Sequence, residues 1–219
     1  MSRNKTKSKV RTAKGRKISS TRWLQRQIND PYINEAEKAG YRSRAAFKLK
    51  EIDEKLGGFL KKDMVVVDLG AAPGGWCQIA AEKGCKKIVA IDLLEIDEIA
   101  GVDFVQMDFM DDEAPDVLKD MIGGDGLVDV VLSDMAPNTT GHKQTDHLRI
   151  MAVVEAGYYF ALEVLKPDGV YVAKVLQGGA QNTLLAEMKK HFKTIKHIKP
   201  PASRKESAEQ YLVAIGFKG

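Results

Sequence analysis

Short apolar runs rich in β-branched residues recur along this chain from Met64 onward, and they constrain the fold more than any other feature. They read MVVVDLG, KIVAIDLL, FVQMDF, VDVVLSDMA and VYVAKVL. Helical stretches lie between several of them, and the clearest runs from about Asp146 to Leu165 before the turn signal KPDG. Apolar strands that alternate with helices are typical of a parallel sheet buried on both faces. We therefore predict an α/β fold with a mostly parallel sheet and helices on both faces.

The segments at either end of this pattern complete the prediction. The chain closes with TIKHIK and QYLVAIGFK, which are joined by a loop containing Pro and Ser and no helix. Adjacent strands without a crossover helix pair antiparallel, so we predict an antiparallel last strand. Ahead of the sheet, Ser43 is expected to cap a helix along AAFKLKEIDEKLGG that Gly57 and Gly58 end. A shorter helix is expected to run through Trp23 and to stop near Pro31.

The distribution of charge divides the chain in two. Residues 1–29 hold ten Lys and Arg and no acid, whereas the remainder holds 24 basic and 30 acidic side chains. A basic segment ahead of an acidic body favours a polyanionic partner such as nucleic acid, the alternative being a tail that only aids solubility. We predict a basic arm over residues 1–29, disordered in part. Residues 30–219 are expected to form one domain, since 219 residues suffice for one core and an appendage.

Composition and spacing disfavour several classes of protein. No apolar run approaches the ~20 residues of a membrane helix, and no apolar stretch follows the basic N-terminus as in a secretory signal. Cys77 and Cys85 form no CxxC pair, so neither a disulfide framework nor a zinc site is expected. His142 and His147 lie in a polar loop without a third ligand. We expect a cytoplasmic monomer that binds no metal and no membrane.

The segment from Asp68 to Trp76, DLGAAPGGW, has the composition of a ligand-binding loop. It follows an apolar strand and opens a helix, where backbone N–H groups are free and glycines allow close approach. It lacks the GxGxxG spacing of dinucleotide sites and the GK[ST] of triphosphate sites. The acid before the first glycine suits a ligand with an ammonium group or hydroxyls and would repel a pyrophosphate. S-adenosylmethionine carries both features, so we predict it as the cofactor.

Acids also close the two strands that follow the loop. Asp92 ends KIVAID, where doubly wound folds place the acid that binds a ribose diol. Asp108 ends FVQMD one strand further on, from where it could accept a hydrogen bond from an adenine amine. Either could instead be an ordinary turn residue. Together with the loop they favour a nucleoside pocket at the carboxyl ends of the strands.

Two charged residues stand out as candidates for chemistry. Asp134 ends the strand VDVVLSD, and Lys174 lies within VYVAKVL, where neighbouring side chains are expected to be buried. A lysine is rarely buried without a partner or a purpose. For Lys48, in the predicted helix, and Glu209, before the last strand, the local pattern alone indicates solvated charges.

Five segments of the chain resemble the FtsJ/RrmJ family of ribose 2′-O-methyltransferases. They read YRSRAAFKL, DLGAAPGGWCQ, SDMAPN, VAKVLQG and SAEQYLVAIGFKG. The resemblance runs in order from about Arg16 to the C-terminus. It implies a Rossmann-like, S-adenosylmethionine-dependent methyltransferase fold with a seven-stranded sheet whose last strand is antiparallel. It also implies a substrate: a uridine in the A-loop of large-subunit (23S) ribosomal RNA, within the assembled 50S particle.

The same resemblance assigns functional positions. The catalytic set that it implies is Lys48, Asp134, Lys174 and Glu209. The cofactor contacts that it implies are Gly74, Trp76, Asp92, Asp108 and Asp134. Two roles for Lys174 remain open, because its nitrogen could either take the proton of the ribose hydroxyl or stabilise the developing alkoxide as a cation.

Phosphate contacts and rival functions complete the interpretation. Arg42 and Arg44, which flank Lys48, are expected to join the arm in one phosphate-binding surface. A basic stretch without an acid is expected to extend it: Lys189, Lys190, Lys193, Lys196, Lys199, Arg204 and Lys205. The same reaction on transfer RNA and a non-catalytic ribosome-assembly factor are the alternatives. A nicotinamide-dependent oxidoreductase is disfavoured because GxGxxG is missing.

Overall fold

The computed structural model describes residues 21, 24–25, 27–137, 140–177 and 182–219. Most of the predicted basic arm lies outside these residues, as does Trp23 in the predicted first helix.

Six helices and seven strands form within the described residues. The helices are α1 (Pro31–Ala39), α2 (Ala45–Lys55), α3 (Gly75–Glu82), α4 (Ala114–Ile122), α5 (Lys143–Val164) and α6 (Asn182–His191). The strands are β1 (Val65–Leu69), β2 (Lys87–Asp92), β3 (Val102–Gln106), β4 (Val128–Ser133), β5 (Leu165–Leu176), β6 (Phe192–Ile198) and β7 (Glu209–Phe217).

The described strands form one sheet in the order β3-β2-β1-β4-β5-β7-β6. The pairs from β3 across to β5 are parallel, and β7 is antiparallel to both β5 and β6. The predicted α/β class, the seven strands and the antiparallel last strand are confirmed. The strand order reverses between β1 and β4, and open α/β sheets bind ligands beyond the carboxyl ends of their strands at such a reversal.

Apolar side chains bury both faces of the sheet. On β1, Val65 and Val67 point into one cluster, which α4, α5 and α6 cover, while Val66 points into the cluster beneath α2 and α3. This alternation follows from the two-residue period of a strand. The second cluster also contains Tyr211 and Trp76, so the candidate site lies on the face that α2 and α3 cover.

The N-terminal helices correct two details of the sequence analysis. The predicted stop near Pro31 coincides with the start of α1, a helix that the sequence analysis did not identify. Pro31 is at its first turn, and the Asp30 side chain accepts a hydrogen bond from the Tyr32 backbone N–H (3.1 Å). At α2 the N-cap residue is Arg44, although the Ser43 hydroxyl one position earlier accepts from the Ala45 N–H (3.2 Å).

Candidate active site

The pairing register of the last strand brings two of the predicted charges together. Lys174 on β5 lies opposite Tyr211 on β7, and Leu176 lies opposite Glu209. Residues two apart on a strand share a face, so Glu209, Tyr211 and Lys174 project to the same side of the sheet. Lys48 reaches this side from α2, which packs over it, and its side chain is 10% exposed.

The four predicted catalytic residues form a chain of alternating charges. Lys48 Nζ lies 3.3 Å from Glu209 Oε2, and Glu209 Oε1 lies 3.9 Å from Lys174 Nζ. Lys174 Nζ in turn lies 2.9 Å from Asp134 Oδ1 and donates to the Asp134 main-chain oxygen at 2.5 Å. Since Lys174 is only 7% exposed, its charge is held by these contacts, as a buried ammonium requires. The predicted burial of Lys174 is confirmed, whereas the local interpretation of Lys48 as a solvated charge is wrong.

Asp134 is held in its ionised form. Burial alone would raise its pKa, but the charges of Lys174 and Lys48 and the hydrogen bond from Tyr211 outweigh burial and lower the pKa below its ordinary value. The site therefore presents a fixed carboxylate beside the Lys174 nitrogen.

Tyr211 belongs to the site, although the sequence analysis did not single it out. Its hydroxyl donates to Asp134 Oδ1 (2.7 Å), and its ring packs against the Trp76 ring at 5.5 Å between centroids. Lys48 Nζ lies 5.7 Å from the centre of the Tyr211 ring, within the range of a cation–π contact. Burial, followed by the negative charges of Asp134 and Glu209, raises the pKa of Tyr211 well above its ordinary value, so the hydroxyl stays a donor.

The loop between β1 and α3 requires glycine at two positions because neighbouring side chains cover it. Gly70 has φ +77°, and a Cβ there would lie 2.6 Å from Met135 Cγ. Gly74 has φ +104°, and its Cβ would lie 2.6 Å from Ile99 Cδ1. Both positions combine a left-handed backbone with a close approach, which only glycine tolerates. The predicted cofactor residue Gly74 is thus packed beneath the segment that follows β2.

The Trp76 side chain is buried and is engaged within the protein. The residue is 2% exposed, and its indole N–H donates to the main-chain oxygen of Ala45 (2.8 Å) at the start of α2. Its ring therefore joins α3 to α2, and a cofactor contact at this position would have to come from the main chain.

Asp92 and Asp108 shape the turns after their strands. Asp92 accepts from the backbone N–H groups of Ala72 and Leu94, both at 2.8 Å, so it links β2 to the glycine loop. Asp108 Oδ1 accepts from the Met110 N–H at 2.9 Å. Each carboxylate oxygen has a second lone pair, so both side chains keep acceptor capacity at the carboxyl edge of the sheet.

Asp68 has an unusual environment at the end of β1. It is fully buried, its Oδ2 accepts from the Cys77 thiol (3.1 Å), and among the described residues its Oδ1 has no hydrogen-bond partner. Burial raises the pKa of Asp68 to about 7, and the negative charges of Asp134 and Asp92 add to the rise, against the lowering by the Cys77 hydrogen bond. A buried carboxyl oxygen without a donor beside two further acids suits a cationic ligand.

A cavity of about 480 Å³ opens beside Lys48 and Glu209. Ser43, Arg44 and Arg204 contribute to its wall. It is large enough for a nucleotide of an RNA strand, and the Lys48–Glu209 end of the charged chain lines it.

Some of the predicted phosphate-binding cations are engaged within the protein. Arg44 donates to Asp30 and to the Ala202 main-chain oxygen, and Arg204 shares the same Asp30 carboxylate. Among the described residues, Arg42 donates to main-chain oxygens and not to a carboxylate. Within the part of the chain that the structure describes, Arg44 and Arg204 share the Asp30 carboxylate as their salt-bridge partner, and both arginines line the cavity.

Three observations concern cysteines, metals and membranes. Cys77 and Cys85 are both free thiols. Within residues 27–137, 140–177 and 182–219, no three His, Cys, Asp or Glu side chains lie close enough together to hold a metal ion. None of the helices in this part of the chain is long and apolar enough to cross a membrane.

Comparisons with known proteins identify the family. The profile of the FtsJ-like methyltransferases matches residues 41–217. The Ribosomal RNA large subunit methyltransferase E of Rhodopseudomonas palustris (strain HaA2) is 59% identical over 208 residues, which cover 93% of this chain and 87% of that protein. The protein of the same name from Paramagnetospirillum magneticum is 58% identical over 225 residues, covering 100% of this chain and 91% of its own. A crystal structure from Plasmodium falciparum, described as a ribosomal RNA methyltransferase, aligns with a TM-score of 0.69 at 34% identity and covers 82% of this chain and all of that one.

Proposed function

Because this chain belongs to the FtsJ-like methyltransferase family, we propose that it transfers a methyl group from S-adenosylmethionine to a ribose 2′-hydroxyl of large-subunit ribosomal RNA. The observation that carries the proposal is the chain of alternating charges from Lys48 to Asp134 beside a nucleotide-sized cavity. The names of the relatives support ribosomal RNA as the substrate. An assembly factor without activity has no need of two buried lysines, whose desolvation costs stability.

The particular nucleotide and the particle that contains it are proposed from the sequence resemblance. We assign the acceptor to a uridine of the A-loop in the assembled 50S particle, which would place the reaction in the cytoplasm. Few aromatic side chains line the cavity, which supports recognition of RNA by shape and backbone contacts more than by base stacking.

The residues at the carboxyl edge of β1, β2 and β3 fit S-adenosylmethionine. The orphaned Oδ1 of Asp68 suits its ammonium group, Asp92 suits its ribose diol, and Asp108 suits its adenine amine. The backbone at Gly74 and the carboxylate of Asp134 would complete the set of residues that hold the cofactor. When bound, the cofactor supplies an electrophilic methyl group on a positively charged sulfur.

The chain's own residues would align and activate the ribose hydroxyl. We assign the ribose hydroxyl a place beside Lys174 Nζ. Asp134 holds this nitrogen through both its side chain and its main-chain oxygen. The Lys174 ammonium, with Asp134 and Glu209 on two sides, would stabilise the oxygen as negative charge develops there. The bond from the oxygen to the methyl group would form as the sulfur–methyl bond breaks, and the hydroxyl proton would leave to solvent. Lys48 and Glu209 would hold the ribose in line with the methyl group, and such alignment supplies much of the acceleration in methyl transfer.

Transfer of labelled methyl from S-adenosylmethionine tests the proposal. Large ribosomal subunits, free ribosomal RNA and transfer RNA are assayed side by side, and digestion to nucleosides locates the label. We expect label on a ribose of the subunit RNA. Label in transfer RNA alone would keep the chemistry and overturn the substrate, and bound cofactor without transfer to any RNA would overturn the enzymatic function.

A further inference from the structure

Arg42 connects two segments that flank the proposed cofactor site. Its guanidinium donates to the main-chain oxygens of Asp97 (2.6 Å) and Glu98 (2.8 Å), in the segment that follows β2 and Asp92. The same group donates to the main-chain oxygen of Pro73 (3.3 Å) in the glycine loop. A planar guanidinium can direct several N–H groups at once, which a lysine ammonium cannot do with the same geometry.

The backbone around Arg42 is fastened to α3. The Arg42 N–H donates to Gln78 Oε1 (2.8 Å), and the amide nitrogen of Gln78 donates back to the Gly40 oxygen (2.9 Å). The indole of Trp76 holds the Ala45 oxygen in the same way. These bonds fix the segment from Gly40 to Ala45 against the first turns of α3, and Lys48 follows within one turn of α2.

The packing at Gly74 shows how closely these parts meet. The space that a Cβ of Gly74 would fill is occupied by Ile99 Cδ1 at 2.6 Å and by Arg42 Nη1 at 3.1 Å. The segment after β2 therefore closes over the glycine loop, and Arg42 lies in the contact between them.

We propose that Arg42 is a positioning residue that couples the cofactor site to Lys48, and that it does not serve as a phosphate contact. By joining the segment after β2 to the glycine loop, it holds both walls of the proposed cofactor site in one fixed arrangement. Because Arg42 lies six residues before Lys48, order in those walls is transmitted to the helix that carries Lys48. This inference rests on the proposed function, since it takes S-adenosylmethionine as the ligand between the walls.

Two substitutions at Arg42 separate the two roles. Arg42→Lys keeps the charge and loses the planar fork, whereas Arg42→Gln loses both. We expect both variants to raise the Kd for S-adenosylmethionine, measured calorimetrically without RNA, by about tenfold or more, the ratio for loss of one charge-assisted hydrogen bond. At saturating cofactor we expect kcat to fall as well, while RNA affinity and its salt dependence in Arg42→Lys stay at the wild-type values.

These measurements distinguish a failure of the proposed function from a failure of the positioning role of Arg42. If wild-type protein binds no S-adenosylmethionine, the proposed function fails. If Arg42→Lys binds the cofactor as wild type does, only the positioning role fails, and a loss of RNA affinity confined to Arg42→Gln would assign Arg42 to phosphate.

Amide hydrogen exchange of the wild-type protein provides a second test, which requires no variant to fold. Adding S-adenosylmethionine without RNA should slow exchange both in residues 94–100 and at the start of α2. Protection of residues 94–100 alone would refute the coupling.

Discussion

Asp68 provides a quantitative test of the electrostatics at the proposed cofactor site. Substitution of Asp68 by Asn keeps the shape of the side chain and removes its ionisation. The carboxyl is fully buried, and its pKa rises from 3.8 to about 7 in the folded protein, chiefly through burial. The folded state therefore holds a proton that the unfolded chain releases between these two pH values.

The magnitude follows from the size of the shift. Three pKa units correspond to about 4 kcal/mol at 1.36 kcal/mol per unit. Because the folded state binds the proton more tightly, the free energy of unfolding falls as pH rises from about 4 to 7, and the full cost of burying the charge is present above pH 7. Asp68→Asn lacks this dependence. The amide also places a nitrogen where Oδ1 had no partner, which costs about 1–3 kcal/mol at every pH.

The assay is urea unfolding of both proteins without cofactor at several pH values between 4.5 and 8. Between pH 4.5 and pH 8, the free energy of unfolding of Asp68→Asn should rise by several kcal/mol relative to that of the wild type. Cys77→Ala serves as a control, because the Cys77 hydrogen bond lowers the pKa of Asp68. Without this hydrogen bond the pKa of Asp68 is higher in the folded protein, so in Cys77→Ala the free energy of unfolding should go on falling to a higher pH. A difference between wild type and Asp68→Asn that is the same at pH 5 and pH 8 would refute the reasoning.

Two further predictions concern the site and the arm. Tyr211→Phe removes the hydrogen bond to Asp134 (2.7 Å), so it should lower the free energy of unfolding at pH 7 by about 2 kcal/mol. Since the pKa of Asp134 is lowered in the folded protein, its contribution is present above pH 3.8 and is lost as pH falls further. The stability that Tyr211→Phe loses, measured by unfolding in urea, should therefore be smaller below pH 4. A loss of stability that is the same at every pH would be due to packing and not to the hydrogen bond. Deletion of residues 1–17, which hold eight Lys and Arg, should weaken RNA binding and flatten its dependence on salt, and an unchanged slope in filter binding would contradict a role for the arm in RNA binding.

Much of the fold could be predicted because its strands are nearly continuous apolar runs. The pattern predicted the apolar runs of β1 to β5 and the antiparallel end of the sheet, although β5 begins at Leu165, where a helix end and a turn were expected. It did not predict α1, since PYINEAEKA holds few strongly apolar residues and buries only Ala36. Helices of this kind are stabilised by their caps and tertiary contacts more than by a sequence pattern.

The candidate site shows the same division. Lys174 could be identified from its apolar neighbours, whereas Lys48 and Glu209 could not, because only packing of α2 over β5 and β7 brings them to Lys174. The part played by Tyr211 depends on strand register, which local sequence does not fix. The assignment of Trp76 to the cofactor stays a prediction from the resemblance, whereas the hydrogen bond from its indole to Ala45 depends on the packed structure and could not be predicted from local sequence.

The decisive measurement is methyl transfer to large ribosomal subunits by Lys174→Met, compared with wild type, together with S-adenosylmethionine binding by both proteins. Methionine retains the apolar length of the lysine and removes its nitrogen, so the variant should bind the cofactor with wild-type affinity and transfer no methyl group. Transfer by Lys174→Met at the wild-type rate would show that the charged chain from Lys48 to Asp134 is not the catalytic centre.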